Sequence, residues 1–259
     1  VEKLTATLSF TEENVTAAKR AAYLCKHDLV SNIVGEFPEL QGIIGAKYLL
    51  VEGESRDVCL AVLEHYLPNS SGGSLPETNP GAILAVAERF ELLLSIFCKG
   101  ERPTGSSDPY ALRRAANGIL QIIWDKKWNL NLNKFLSIAI EYWNSSFTSL
   151  GIEIDQISHE LSSFLNQRIF SLLDESSIDI DIIQAVTAGD SSQYDILSDP
   201  EDVRVRASLL MEMREIGKLI SVASVVKRAS KLAQKSSLSH KILSPVKHVD
   251  PDIFEKSSE

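Results

Sequence analysis

From Pro80 to Phe97 the chain carries apolar residues on several sides of a helical period. A helix of that kind has no polar face to give to water, so other elements must wrap it. This one segment directs the chain toward a helical bundle, and amphipathic stripes on either side supply the wrapping. Val15, Ala18, Ala22, Cys25, Leu29 and Ile33 recur at helical spacing after a start at Thr11. The Thr11 hydroxyl suits an N-cap, Glu12 and Glu13 favour the positive helix end, and Phe10 can staple onto Val15. Gly35 and Pro38 end that stripe. Gln41 to Val51 reads as a short helix relaxed at Gly42 and Gly45. Arg56 to Tyr66 reads as an amphipathic helix stopped by Pro68, and Asn69 to Pro80 is a Ser-, Gly- and Pro-rich loop.

After Gly100 the stretch from Pro103 to Ser107 resists regular structure, and Asp108 then stands where an N-cap belongs. Pro109 follows at the first helical position, where its missing N–H costs nothing. Leu112, Ala115 or Ala116, Ile119, and Ile122 or Ile123 share one face of the helix that runs to about Trp124. Arg113 and Arg114 project from its early turns; a capped helix start with two guanidinium groups suits phosphate or carboxylate recognition. Lys134 to Phe147 is a further helix, and Gly151 to Asp155 reads as a boundary. Asp155 can cap a helix carrying Ile157, Leu161, Phe164 or Leu165, and Leu172. A short helix from Asp181 to Ala188 is closed by Gly189, with residues 190–198 as a polar loop. Asp199-Pro200 repeats the cap-then-proline start, and helix continues to about Lys235 with a break near Gly217. Residues 1–10 read as a tail or a short extended piece, and the end of the chain, with Pro245 and Pro251, as irregular or a linker. No strand pairs and no fixed-period repeat are visible, so the expected class is all-α.

Hydrophobic residues make up 44% and charged ones 24%, with a net charge of −9. That balance argues against a chain that coats polyanions over its whole surface. The distribution is uneven: from Arg204 to Lys241 nine basic residues face two acidic ones. A basic segment in an acidic chain is the footprint of a polyanion-binding element, or else a solvated face paired with acidic neighbours. No apolar run approaches the length that spans a bilayer. The start at Val1 is expected to be internal to a longer protein. Cys25, Cys59 and Cys98 are widely spaced in apolar helical contexts, which suggests buried thiols and not a disulfide framework or zinc site.

Catalytic patterns are sparse. There is no phosphate-binding GxxxxGK[ST] loop, and no Ser/His/Asp or Cys/His arrangement can be assembled from spacing. Glu36, Glu39 and Gln41 suit local capping of the Gly42–Gly45 turn. His27-Asp28 is a literal His-Asp doublet of the kind that holds metal in phosphohydrolases of the HD fold. His65 is the one nearby histidine that could join it. The later Glu88-Arg89-Phe90-Glu91 has glutamates where aspartates are usual. A metal site needs several ligands with a supporting shell. The plainer alternative has Asp28 accepting loop N–H groups and His65 hydrogen-bonded near Pro68.

Three strings carry a family resemblance: Asp28-Leu29 with Val34 to Gly42, Gly45 and Tyr48; Glu64-His65-Tyr66-Leu67-Pro68 with Leu75-Pro76; and Pro103 through Leu120. In that order and spacing they resemble the β subunit of bacterial-type glycyl-tRNA synthetase, over essentially the whole chain and more weakly after Gly151. The resemblance implies an all-α protein with three parts: an HD-like helical domain (1–150), a helical linker (151–198) and the incomplete start of an anticodon-binding helical domain (199–259). It implies a tRNA-handling accessory region of an enzyme that joins glycine to tRNA with ATP and magnesium. The adenylating site would lie in the α subunit or a fused α region, so no cofactor or catalytic residue is expected here. The implied partners are glycine tRNA and the α subunit, in an α2β2 or (αβ)2 assembly without a membrane. Candidate tRNA contacts are Arg113, Arg114, Lys99, Arg102, Lys227, Arg228 and Lys231. His27, Asp28 and His65 stand as the weak metal candidates. The Ala-Ala-Asn-Gly variant at 115–118 is compatible with a cyanobacterial or plastid form, so the chloroplast stroma is expected ahead of a bacterial cytoplasm. The competing functions are a metal-dependent HD phosphohydrolase and a scaffold that only docks the α subunit.

Overall fold

The computed structural model describes residues 1–70, 72–148, 151–187 and 195–234. The expected closure at Gly189, Lys235, Lys241 and the two late prolines lie outside the described residues. Every named element is helical: α1 (Glu2–Thr7), α2 (Glu12–Leu24), α3 (Asn32–Glu36), α4 (Ile43–Val51), α5 (Arg56–Glu64), α6 (Asn79–Cys98), α7 (Leu112–Lys126), α8 (Leu132–Ser146), α9 (Ile154–Glu175), α10 (Ile180–Thr187), α11 (Pro200–Glu215) and α12 (Leu219–Gln234). Short 3-10 turns at His27–Val30 and Pro38–Leu40 flank α3. The described residues contain no β-strand beyond one isolated bridge between Thr104 and Ser107, as the absence of alternating apolar runs predicts.

The expected central helix is α6. It packs against α1, α2, α5, α7 and α9, and Ala82 to Val86, Phe90, Leu93, Leu94 and Phe97 are all buried along it. Aromatic rings lock its two flanks, with Phe90 on Phe135 of α8 at 4.8 Å and Phe97 on Phe164 of α9 at 5.5 Å. These pairs add to the burial of large apolar area that holds such a bundle together. One main core runs from Leu4 through Ile119 and Leu165 to Ala207. It is continuous across Gly151, and the compact unit extends from Val1 to Met211. A smaller cluster fills the space among α2, α4 and α5. The second unit starts at Glu212. Its helix α12, set off by Gly217 at φ +70°, exposes Lys227, Arg228 and Lys231.

Several local expectations change. The first residues are neither a tail nor an extended piece but α1, whose Leu4 is fully buried. The Phe10 ring meets Trp128 edge-on at 5.3 Å, a partner that the local staple did not foresee. Thr11 does cap α2, accepting from the Asn14 N–H at 3.3 Å. That helix stops at Leu24, because Lys26 enters the left-handed region at φ 65°. The later part of the predicted stripe, including the His27-Asp28 doublet, therefore sits on a 3-10 turn and α3. Two of the three thiols, Cys25 and Cys98, are only half-buried.

Candidate functional site

The three matched strings are far apart in sequence and meet at one cleft of about 400 Å3. Glu39 and Gln41 line it from the turn before α4, Tyr66, Pro68 and Asn69 from the segment after α5, Glu88 and Arg89 from α6, and Tyr110, Ala111 and Arg114 from the start of α7.

The floor is set by Arg89. It is 7% exposed, and its two terminal nitrogens donate to the carbonyls of His65, Ala85, Tyr66 and Pro68, each at 3.0 Å. A buried guanidinium is tolerable when its donors are met by oriented dipoles. Those bonds hold the chain from His65 to Pro68, including the cis Leu67–Pro68 peptide, against α6. The close approach needs Gly118 on α7, where a Cβ would lie 2.7 Å from Arg89 Nε.

The His-Asp doublet is not among the residues that line the cleft. Asp28 is 1% exposed, and its Oδ2 accepts the Gly42 N–H at 2.7 Å, so the carboxylate tethers a loop. His27 Nδ1 donates to the Leu24 carbonyl at 2.8 Å, and His65 Nδ1 to the Val62 carbonyl at 2.6 Å. A carbonyl can only accept, so each of these Nδ1 atoms carries a proton. Burial holds the His65 pKa below the ordinary imidazole value. His27 and Asp28 come together over Gly45: a Cβ there would lie 3.2 Å from His27 Cε1 and 3.0 Å from the Asp28 carboxyl carbon. The buried atoms His27 Nε2, Asp28 Oδ1, His65 Nε2 and the Tyr66 hydroxyl have no hydrogen-bond partner among the described residues. No group of three or more His, Cys, Asp or Glu side chains among the described residues is arranged to hold a metal ion.

Tyr66 stacks on His65 with centroids 3.9 Å apart, and Gln41 stands beside its hydroxyl without completing a hydrogen bond of good geometry. Burial, then the Asp28 carboxylate, pushes the phenol pKa up to about 12. The unfolded phenol ionises near pH 10, so the contribution is whole below pH 10 and is lost between pH 10 and pH 12 as the unfolded chain sheds its proton first. In an alkaline titration of phenolate absorbance, one of the six tyrosines is expected to ionise last, near pH 12. Tyr66→Phe should delete that late step alone. If the variant loses an ordinary step instead, the buried-phenol assignment is wrong.

The predicted cations fall into three environments. Lys99 is exposed and paired with Glu101 at 2.7 Å. Arg102 is engaged in the fold: it donates to Glu160 on α9 at 2.5 Å and to the Phe97 and Glu101 carbonyls, each at 2.7 Å, and covers the Phe97 ring at 4.2 Å. Arg113, Arg114, Lys227, Arg228 and Lys231 make no side-chain ion pair among the described residues. The start of α7 differs from the expected cap. Pro109 and Tyr110 form a turn, Ala111 sits at φ 54°, and the helix opens at Leu112. Asp108 still caps it, from outside, with Oδ1 accepting the Leu112 N–H at 2.8 Å and Oδ2 the Arg113 N–H at 2.9 Å. This arrangement turns the exposed Arg114 to the rim of the cleft. Arg89 is the site residue that sequence reasoning missed. Its signal was a lone arginine inside the apolar run of α6, where only a fully satisfied charge can stay.

The family model described as glycyl-tRNA synthetase beta subunit matches residues 1–188. The chain is 44% identical over 244 residues to the glycine–tRNA ligase beta subunit of Acaryochloris marina, covering 93% of this chain and 34% of that relative. It is 41% identical over 255 residues to the corresponding subunit of Trichodesmium erythraeum, covering 97% and 35%. With that of Pediococcus pentosaceus it shares 36% over 253 residues, covering 98% and 35%. The chain spans about a third of the length of the curated relatives it matches.

Proposed function

Because the chain belongs to the glycyl-tRNA synthetase beta subunit family, we propose that it is a tRNA-handling region of glycine–tRNA ligase. It holds positive side chains against a folded RNA while the α subunit or a fused α region activates glycine with ATP and magnesium. The enzyme works as an α2β2 or (αβ)2 assembly, in the chloroplast stroma or a bacterial cytoplasm. One convergence supports this role: three matched segments build one polar cleft, and at its rim stands Arg114, exposed and without a carboxylate partner. A guanidinium left free in a chain of net charge −9 is available to an anion that arrives from outside. Tyr110 offers an exposed ring beside it, a surface on which a base can stack. Lys227, Arg228 and Lys231 on α12 add a second basic surface of the same character. Lys99 and Arg102, already paired within the chain, contribute less.

Titration of the chain with glycine tRNA at several salt concentrations tests this. Removing one cation that neutralises a phosphate should flatten the log–log salt dependence by about one unit. Arg113→Ala/Arg114→Ala is expected to weaken binding by roughly ten- to hundredfold, taking about 1.5–3 kcal/mol for charge-assisted hydrogen bonds. Unchanged affinity and slope in the double variant would take both arginines off the RNA-binding surface.

A further inference from the structure

Arg113 and Arg114 are neighbours in sequence, but a helix turns each residue about 100° from the last. They therefore serve different faces of α7. Arg114 goes to the cleft. Arg113 lies near Arg168 of α9, a residue that no sequence motif singles out. The two helices pack directly on each other. The end of α6 and the segment after it are tied to the same helix α9, by the Phe97–Phe164 ring pair and the Arg102–Glu160 ion pair.

Neither guanidinium is used by the fold. The Arg168 Nε is sealed from solvent and has no acceptor among the described residues, and Arg113 makes no side-chain hydrogen bond there. Two carboxylates come within electrostatic reach of Arg168, Asp108 and Glu175. Both Asp108 oxygens already accept backbone N–H groups of α7. Glu175 is exposed at the end of α9 and forms no ion pair with either arginine. Burial first, and the Arg113 charge second, lower the Arg168 pKa. Two like charges held together, with unused donors and no bridging carboxylate, are a standing cost that an anion between them removes. Planar guanidinium forks match phosphate oxygens in particular.

We infer that Arg113 and Arg168 form a two-pronged anion site between α7 and α9, and that its ligand is a phosphodiester of the RNA backbone. The site rests on the tRNA-handling role proposed above and extends it to a second face of α7, away from the cleft. A phosphate held there carries no sequence information; it sets the register of the RNA on the protein.

The test uses the 259-residue chain with Arg113→Met, Arg168→Met, the double variant and Arg168→Lys. Glycine tRNA binding is measured across a salt series. Arg168→Met is expected to weaken binding on the order of tenfold, as removal of a charge-assisted hydrogen bond does; Arg113 still faces the phosphate, so the salt slope should flatten by about one unit only in the double variant. Adding Arg113→Met should cost only a few-fold more, because both prongs hold one phosphate. Arg168→Lys should keep the slope and recover part of the affinity. A second readout needs no RNA: at matched ionic strength, inorganic phosphate should raise the melting temperature of the parent chain more than that of Arg168→Met. Firm tRNA binding by the parent chain, with unchanged affinity in Arg168→Met and an unaltered slope in the double variant, would overturn the site and leave the tRNA role standing. A fall in stability with equal phosphate response in both proteins would mark Arg168 as structural and equally overturn it. Absence of tRNA binding by the parent chain would defeat the tRNA role itself.

Discussion

Arg89→Ala should lower the melting temperature by about 10 °C or more, the largest effect expected of any single substitution in this chain. The guanidinium donates to four carbonyls, three of these bonds buried and the one to Tyr66 part-buried, and its removal leaves those acceptors without their donor. Orphaned buried groups cost about 1–3 kcal/mol each, and breaking one buried charged network typically totals about 3–5 kcal/mol. For a chain of this size each kcal/mol is worth about 2–4 °C. Relaxation and water entry hold the sum below four full penalties. Arg89→Lys keeps the charge with one nitrogen in place of a fork, so it should recover only part of the stability. The cleft should suffer as well, since the segment carrying Tyr66 and Pro68 hangs from these bonds. Thermal melts followed by far-ultraviolet circular dichroism read the outcome. A melting temperature within about 2 °C of the parent, the equivalent of less than 1 kcal/mol, would show that Arg89 does not hold this segment.

Gly81→Ala should destabilise the fold by about 2 kcal/mol, against the helix rule that favours alanine by about 1 kcal/mol. Gly81 lies in the first turn of α6, where its N–H donates to the Thr78 hydroxyl at 3.1 Å. A Cβ there would lie 2.8 Å from Glu64 Cβ and closer still to the Glu64 carboxylate. Glu64 cannot swing away freely. It is buried, and its Oε2 accepts the Thr78 N–H at 3.0 Å and the Thr78 hydroxyl at 2.6 Å. The added methyl must push α5 from α6 or break the cap. Denaturant unfolding that shows equal or greater stability for Gly81→Ala would mean that α5 yields at no cost, and the close-packed joint would have to be abandoned. Both predictions concern one joint, the passage from α5 into α6, which places Tyr66, Pro68 and Arg89 along the cleft.

Much of the helical layout is legible locally. Thr11 caps α2, and Asp199 caps the start of α11 by accepting the Asp202 N–H at 3.0 Å. Gly217 breaks the last long helix where expected. The apolar run of α6 is central, as a helix without a polar face must be. The misreadings share one cause. The stripe from Val15 to Ile33 keeps its period, yet α2 ends at Leu24, because Asp28 turns inward to the N–H of Gly42, fourteen residues ahead. Phe10 packs on Trp128, more than a hundred residues away in the chain. The arginines are the sharpest case. Sequence alone offers Arg102, Arg113 and Arg114 as equivalent cations. The fold commits Arg102 to Glu160 and sends Arg113 and Arg114 to different faces of α7, while Arg168 enters from a helix that no motif marks.

Taken by itself, the order of residues determined the all-α class, most helix starts and the central place of α6, since period and capping act within about one turn of helix. The tertiary structure decided which polar side chains are buried, which cations stay free, and that three separated segments share one cleft. Those outcomes depend on partners brought together by packing, and whether a charge is satisfied depends on groups far away in the chain.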